Sequence, residues 1–459
     1  RNLNLLIGSP VLARRSPFPL MAHSIPHRFV GSRPWLAALG VAVWVTASAF
    51  GQTLDNIGYT ALEAELGAAT PDGAGVPVLQ VEAKVEGSDN YFPDTNQSDF
   101  AGVNFTDLSG TQPAGQSSFH ATAVGRGLYG VNAAASGIDS VFVQELNDWL
   151  NNAINRDSND LPSSSPARIQ NHSWIASFTL NSENEDVLRR VDYMIDQGEV
   201  LASVGVNNGS TTSLPPVLAQ AYNVISVGLS DGNHSSGTTS VDGSGRIKPE
   251  IVSFSSFTSF ATAHVAGSAA ILFETAANHA DPETARDPRV LKAMLMAGAT
   301  KEEFGADWER TPTQPLDLVY GAGELNIYNS YFMMVGANRT PGSTGAMADD
   351  ASGWASDHVN GGETDVYYFS VAQGKLLEDV SIVTTWHRTV TFETISIGVG
   401  RFRTEFLQAN SDPLANLSLT LYATQGATLQ GATVIDSSES SEHSVEHIWQ
   451  PDALPPGDY

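Results

Sequence analysis

The 459-residue sequence predicts an α/β domain with a mostly parallel sheet flanked by helices, followed by an all-β, sandwich-like module. Three observations carry this. Between residues 75 and about 328, short apolar runs alternate with amphipathic segments, the pattern of parallel strands joined by helices. From about Pro341 the composition shifts to Gly, Ser, Ala and Asp, and only strand-like runs follow. The chain is also about three times the length of a usual single domain, which leaves room for both parts.

The elements follow in order. Residues 76–81 read as a buried strand, and 141–154 and 186–197 space their apolar residues as helices do. Residues 224–228 read as another strand, 261–277 as a helix of small residues, and 289–297 as one more helix. A linker is expected over 342–362. Beyond it, 366–371, 380–384, 389–397, 417–423 and 446–449 read as strands, most simply arranged as a sandwich. The expected division is an N-terminal extension with a signal peptide (1–51), a short linker (52–73), the α/β domain (74–330), a second linker (331–360) and the β module (361–459). The β module stops just after Pro455-Pro456-Gly457 and is expected to be incomplete.

Composition narrows the function. Fifty acidic against 23 basic residues give a net charge of −27, which disfavours binding to nucleic acid or to an anionic membrane surface. With 41% hydrophobic and only 16% charged residues, the chain is too apolar to be a disordered acidic polymer. It has no cysteine, which excludes disulfides, zinc–thiolate sites and thiol nucleophiles. Residues 35–50 form an apolar run preceded by five arginines and no acid, and it contains an A-x-A site at Ala47-Ser48-Ala49. The run is shorter than the roughly 20 residues of a membrane span and suits a signal peptide. A secreted, periplasmic or cell-envelope protein is expected, with no stable membrane span. Removing the five arginines takes the charge from −27 to −32.

Four segments carry chemistry. In Phe257-Thr258-Ser259-Phe260-Ala261 a serine opens a helix, beside unpaired N–H groups and the positive end of the helix dipole. An N-cap is the plain alternative. Ser118-Phe119-His120-Ala121-Thr122 puts a histidine at the start of a second small-residue helix. The buried strand at 76–81 runs directly into Glu82, and another strand ends in Val206-Asn207-Asn208-Gly209. Acid, histidine, amide and serine thus occur in the chain order of one known triad.

In these residues the sequence resembles the subtilisin-like serine peptidases (subtilases), over about residues 73–330. Thr258-Ser259-Phe260-Ala261 and Val265-Ala266-Gly267 match the family's nucleophile motif, and His120-Ala121-Thr122-Ala123-Val124 matches its histidine motif. Asn171-His172-Ser173-Trp174 resembles the substrate-binding strand, and the segment at 205–209 resembles the oxyanion-hole loop. The resemblance implies an exported endopeptidase with Ser259 as nucleophile, His120 as general base and acid, and Glu82 orienting His120. It further implies that Asn207 donates to the oxyanion, with Asn208 the nearest rival, and that Ser173 and Trp174 shape the wall where polypeptide substrates bind. No cofactor is needed for this chemistry.

Three departures bear on activity. Glu82 stands where the family has Asp, Phe257 replaces a Gly, and Ala263 replaces a Pro. Asp89 and Asp94 are alternative acids. A catalytically impaired pseudo-peptidase that binds a peptide or a surface component is therefore the second reading. His264 lies five residues after Ser259 on the same helix and is assigned to packing. His443-Ser444-Val445-Glu446-His447 matches H-x-x-E-H, but its strand-like flanks argue against a zinc helix. Asp157, Asn159 and Asp160 read as a solvated loop, with structural calcium as the alternative. Residues 361–459 loosely resemble the bacterial pre-peptidase C-terminal type of β-sandwich.

Overall fold

A strand buried on both faces must be apolar in both its odd and its even positions. The run Val78-Leu79-Gln80-Val81-Glu82 meets this with two exceptions, Gln80 and Glu82, which share one face. A computed structural model of the chain describes residues 2–8, 53–342, 344–347, 352–398, 401–408 and 414–459. The apolar run at 35–50 and its A-x-A site lie outside the described residues. Asn2–Gly8, within the expected N-terminal extension, forms strand β1.

The α/β part is a seven-stranded sheet. Its strands are β2 (Val78–Glu82), β3 (Asn104–Asp107), β4 (Ser140–Glu145), β5 (Ile169–His172), β6 (Leu201–Gly205), β7 (Ile225–Leu229) and, after the short pair β8 (Gly237–Thr238) and β9 (Ile247–Lys248), β10 (Ile251–Ser253). They lie in the order β10-β7-β6-β5-β2-β4-β3, and every neighbouring pair is parallel. The principal helices are α1 (Tyr59–Leu66), α2 (Phe119–Leu128), α3 (Asn181–Gly198), α4 (Thr258–Ala276), α5 (Pro288–Gly298) and α6 (Ile327–Val335).

Alternation sorts the strand residues between two cores. Val78 and Leu201 join one core with Val124 of α2 and Ala261 and Ala266 of α4. Leu79, Val81, Ala202 and Val204 join the other, with Val187 and Val191 of α3. Gln80 and Glu82 follow Val78 at two-residue steps, so they face the side that carries α2 and α4. The small residues of α4 let it lie close against the sheet, where Ala261, Ala266, Ala269 and Ala270 are fully buried.

The expected helix over 141–154 is corrected. Its first residues form β4, whose Val141 and Val143 are buried between β2 and β3. Only Leu146–Asp148 and Trp149–Ala153 are helical. A short apolar run fits both periods, and here the β-branched valines decide. The stretch read as a linker also holds strands, because Trp354 and Ala355 are both buried.

That C-terminal part contains β11 (Ala337–Asn338), β12 (Thr344–Met347), β13 (Gly353–His358), β14 (Tyr368–Val371), β15 (Val380–Thr385), β16 (Val390–Gly398), β17 (Arg401–Gln408), β18 (Leu419–Ala423), β19 (Thr433–Ser438), β20 (Val445–Gln450) and β21 (Gly457–Asp458). One sheet runs β11-β13-β1-β15-β20 and another β12-β14-β21, with β16–β17 and β18–β19 as separate pairs. The five-stranded sheet is covered on both faces. Trp354, Val383 and Val445 extend the core that contains α5 and α6. Ala355, Ile382 and Ile448 pack instead with Phe369, Leu421 and Tyr459 from the small sheets.

A buried ion cluster joins the two parts. Arg388 donates to Asp192 of α3 at 2.5 Å, lies 2.6 Å from Asp242, and sits over the Tyr222 ring. His443 accepts from Ile247 N at 2.9 Å, and Glu446 and His447 lie on β20 with buried side chains. The H-x-x-E-H stretch thus packs as strand and turn, not as a metal-binding helix. No group of three or more His, Asp or Glu among the described residues could hold a metal ion, and no helix among them is long and apolar enough to cross a membrane.

The loop with Asp157, Asn159 and Asp160 is organised by a cation of the chain itself. The guanidinium of Arg190, 2% exposed, donates to the carbonyls of Ile154, Asn155, Ser158 and Asp160 at 2.8–3.3 Å. These four carbonyls converge on the Arg190 guanidinium.

Candidate active site

In an open parallel sheet, the strand ends at the carboxyl edge leave a crevice where successive loops meet. Glu82 ends β2, and the loop carrying Asn207 and Asn208 follows β6. Ser173 follows β5, and the turn into α4 follows β10.

His120 is the second residue of α2. Ser118 caps this helix by accepting from Ala121 N at 3.1 Å, which fixes where the helix begins. Its imidazole is pinned from both sides: Nδ1 lies 2.8 Å from Glu82 Oε2, and Nε2 lies 3.0 Å from Ser259 Oγ. Burial works against a charge on this ring, but attraction to Glu82 and the hydrogen bond with it outweigh burial and raise its pKa above the ordinary 6.5. The extra methylene of Glu82 therefore does not turn the carboxylate away. The alternative acids are engaged elsewhere, Asp89 with Lys84 and Asp94 with Asn96 and Gln97.

Glu82 is itself held. It is 0% exposed, and its Oε1 accepts from Gln80 Nε2 at 2.7 Å. Gln80 Nε2 also donates to the Ala121 carbonyl at 3.0 Å, and Gln80 Oε1 accepts from the Tyr129 hydroxyl at 2.5 Å. Burial, then the nearby Glu82 charge, pushes the Tyr129 phenol well above its usual range, so it stays a donor. Gly125 makes room for this ring, since a Cβ there would overlap the Tyr129 hydroxyl. Gln80 and Tyr129 were not anticipated from the sequence. The available signal was a polar residue on a buried strand, two positions before Glu82 on the same face.

Ser259 is the second residue of α4, in the turn where N–H groups lack helical partners. Phe260 N and Ala261 N donate to the Phe257 carbonyl, and Thr258 N donates to Asn208 Oδ1 at 2.9 Å. The Ser259 N–H is left without an acceptor among the described residues. It belongs to a helix N-terminus beside its own hydroxyl, where an oxyanion would form. Phe257 adopts ordinary extended angles (φ −145°, ψ 145°), so the position needs no glycine. The Ser259 carbonyl accepts from Ser173 Oγ at 2.7 Å, and Ser259 Oγ lies 3.3 Å from the Ser173 carbonyl.

The remaining expected residues fall as follows. Asn207 is fixed through its backbone, its N–H donating to Ser235 Oγ at 3.0 Å and its carbonyl accepting from Ser235 N at 2.8 Å. No hydrogen bond among the described residues engages its side-chain amide. Asn208, the rival, accepts from Thr258 N and Oγ1 through its amide oxygen Oδ1. Trp174 is 6% exposed, and its ring packs edge-on against Trp149 and His172. His264 lies 3.3 Å from Ser253 Oγ, and burial lowers its pKa to about 4, as befits a neutral packing residue.

No family model matches the chain, and no curated protein matches it by sequence. Among solved structures, the Prenylagaramide maturation protease PagA is similar at 20% identity and a TM-score of 0.40, covering 61% of this chain and 99% of that one. The Patellamide maturation protease PatA is similar at 21% identity and a TM-score of 0.40, covering 58% and 99%.

Proposed function

We propose that this chain is a serine endopeptidase that hydrolyses polypeptides through an acyl-enzyme. The observation that carries the reading is the unbroken relay Ser259–His120–Glu82, at 3.0 and 2.8 Å. Ser259 Oγ attacks the scissile carbonyl while His120 Nε2 takes its proton. Glu82 holds the proton on Nδ1 and stabilises the imidazolium that results. The oxyanion accepts from the Ser259 N–H and from the Asn207 side-chain amide. His120 then protonates the departing amine, and water, activated by the same imidazole, releases the acid. The subtilase resemblance supports the same roles. The Arg-flanked apolar run with its Ala47-Ser48-Ala49 site supports export to the periplasm, cell envelope or medium.

A fluorophosphonate probe tests the reading. It is expected to label the wild-type chain and to fail with Ser259→Ala. Equal labelling of both, or of neither, sinks the proposal and leaves a non-cleaving peptide-binding domain as the better account.

A further inference from the structure

A row of polar side chains crosses the buried sheet beneath the triad. Gln80 of β2, Asn171 of β5 and Ser203 of β6 are register partners on adjacent strands, so their side chains leave the same face, toward α2 and α4. All three are 0% exposed. Polar groups buried to this degree are kept with hydrogen-bond partners. Gln80 holds Glu82. The other two serve α4. Ser203 Oγ donates to the Thr262 carbonyl at 3.2 Å, and Asn171 Nδ2 donates to Ser173 Oγ at 2.9 Å.

The bond from Asn171 sets the direction of the next one. Because Ser173 Oγ accepts from the amide, its own proton goes to the Ser259 carbonyl, at 2.7 Å. Ser173 also meets Ser259 at the other end, since its carbonyl lies 3.3 Å from Ser259 Oγ. Ser259 Oγ thus stands between two acceptors, His120 Nε2 at 3.0 Å and the Ser173 carbonyl. With a neutral ring the hydroxyl proton points to Nε2, ready for transfer. With a protonated ring Nε2 is itself the donor, and the hydroxyl proton turns to the Ser173 carbonyl. The oxygen keeps its place in both states. Ser173 is only 4% exposed, and its hydroxyl is engaged on both sides within the protein.

We propose that Ser173, oriented by Asn171, is a positioning residue that holds Ser259 in its attacking rotamer. The role rests on the serine-peptidase reading and deepens it. Ser173 acts through Ser259, so it serves the chemical step and not the affinity for a peptide.

Ser173→Ala and Ser203→Ala in the full chain separate positioning from general support of α4. Each removes one hydroxyl that reaches the α4 backbone, and of the two only Ser173 reaches Ser259. Ser173→Ala is expected to lower kcat and the rate of fluorophosphonate labelling by about 10- to 100-fold, with KM changed by less than about threefold. Ser203→Ala should keep both rates within about threefold of wild type, whatever it does to the melting temperature. A Ser173→Ala enzyme with a raised KM and an unchanged kcat would make Ser173 a substrate wall and overturn the proposal, as would an equal loss of rate in Ser203→Ala. Titration of His120 by NMR gives a readout that needs no activity. Ser259→Ala should shift the His120 pKa, Ser173→Ala should shift it in the same direction, and the double variant should match Ser259→Ala. A wild-type chain that the probe does not label sinks the peptidase reading, while this titration still decides the role of Ser173. A His120 pKa that responds to Ser259→Ala and ignores Ser173→Ala overturns that role.

Discussion

Replacing Glu82 by Gln tests the relay at its least expected member, and the structure fixes how the new amide must sit. The wild-type carboxylate presents two oxygens, one to His120 Nδ1 at 2.8 Å and one to Gln80 Nε2 at 2.7 Å. Gln80 cannot turn over, because its amide also donates to Ala121 O and its carbonyl accepts from Tyr129. The amide introduced by Glu82→Gln must therefore keep its oxygen toward Gln80 and offer its NH2 to His120. Nδ1 then becomes the acceptor, the ring proton moves to Nε2, and Nε2 faces Ser259 as a donor that cannot take a proton. A wrong tautomer of this kind costs triad enzymes about 10⁴ in kcat, or about 5 kcal/mol. Rates of fluorophosphonate labelling and of peptide hydrolysis read the loss, with thermal melting to confirm an intact fold. The variant should also move the acidic limb of kcat/KM to lower pH. Glu82 raises the His120 pKa against burial, and its removal leaves burial to lower it. Adding Gln80→Leu to Glu82→Gln should recover part of the rate, because the introduced amide can then rotate its oxygen to His120. A Glu82→Gln enzyme within about tenfold of wild type would refute the tautomer argument.

Asn207→Leu should lower kcat by about 100- to 1000-fold with little change in KM, whereas Asn208→Leu should act mainly on stability through Thr258; a larger kcat loss in Asn208→Leu reverses the assignment. Glu446, pushed up to about 8 by burial against the opposing bonds from Ser438 and Ser440, gives a stability term with a defined sign. That contribution is complete below about pH 4.5, the unfolded value, falls as pH rises to about 8, and is flat beyond, by a few kcal/mol in all. Denaturant titrations of Glu446→Gln across this window should show a flatter profile than wild type; parallel profiles remove Glu446 as the cause. Because Arg190 fills the loop at 154–160, EDTA should leave the melting temperature unchanged while Arg190→Ala lowers stability by about 3 kcal/mol or more. A melting temperature that EDTA lowers and calcium restores contradicts this account of the loop.

What was legible in the sequence was local. Small residues following Ser259 and His120 imply helices that lie close to their neighbours, and both serine and histidine stand at helix starts because the motif fixes their positions there. The alternation of β2 fixed the face of Glu82 as soon as Val78 was known to be core. What was not legible depended on partners distant in the chain. The run at 141–154 fits a helix until β2 and β3 flank it, and Trp354 looks like part of a linker until α5 and α6 cover it. The partner of the loop at 154–160 was illegible for a similar reason: Arg190, which donates to its carbonyls, arrives on α3, some 30 residues later.

The same contrast explains how a glutamate can serve as the acid of the proposed triad. Its additional torsion would let a free carboxylate wander, and a wandering carboxylate cannot hold one imidazole tautomer. Gln80 removes that freedom by fixing Oε1, which leaves Oε2 a single direction, toward His120. Gln80 is fixed in turn by Tyr129, and Tyr129 reaches it only because residue 125 has no side chain. The longer acid and the three residues behind it therefore form one device. The shorter carboxylate of Glu82→Asp would gain nothing from Gln80 and would leave the Gln80 amide short of an acceptor in a fully buried place. Glu82→Asp should therefore lose both stability and rate, as read by thermal melting and peptide hydrolysis. A Glu82→Asp enzyme that matches wild type in both would show that Glu82 does not depend on the residues behind it.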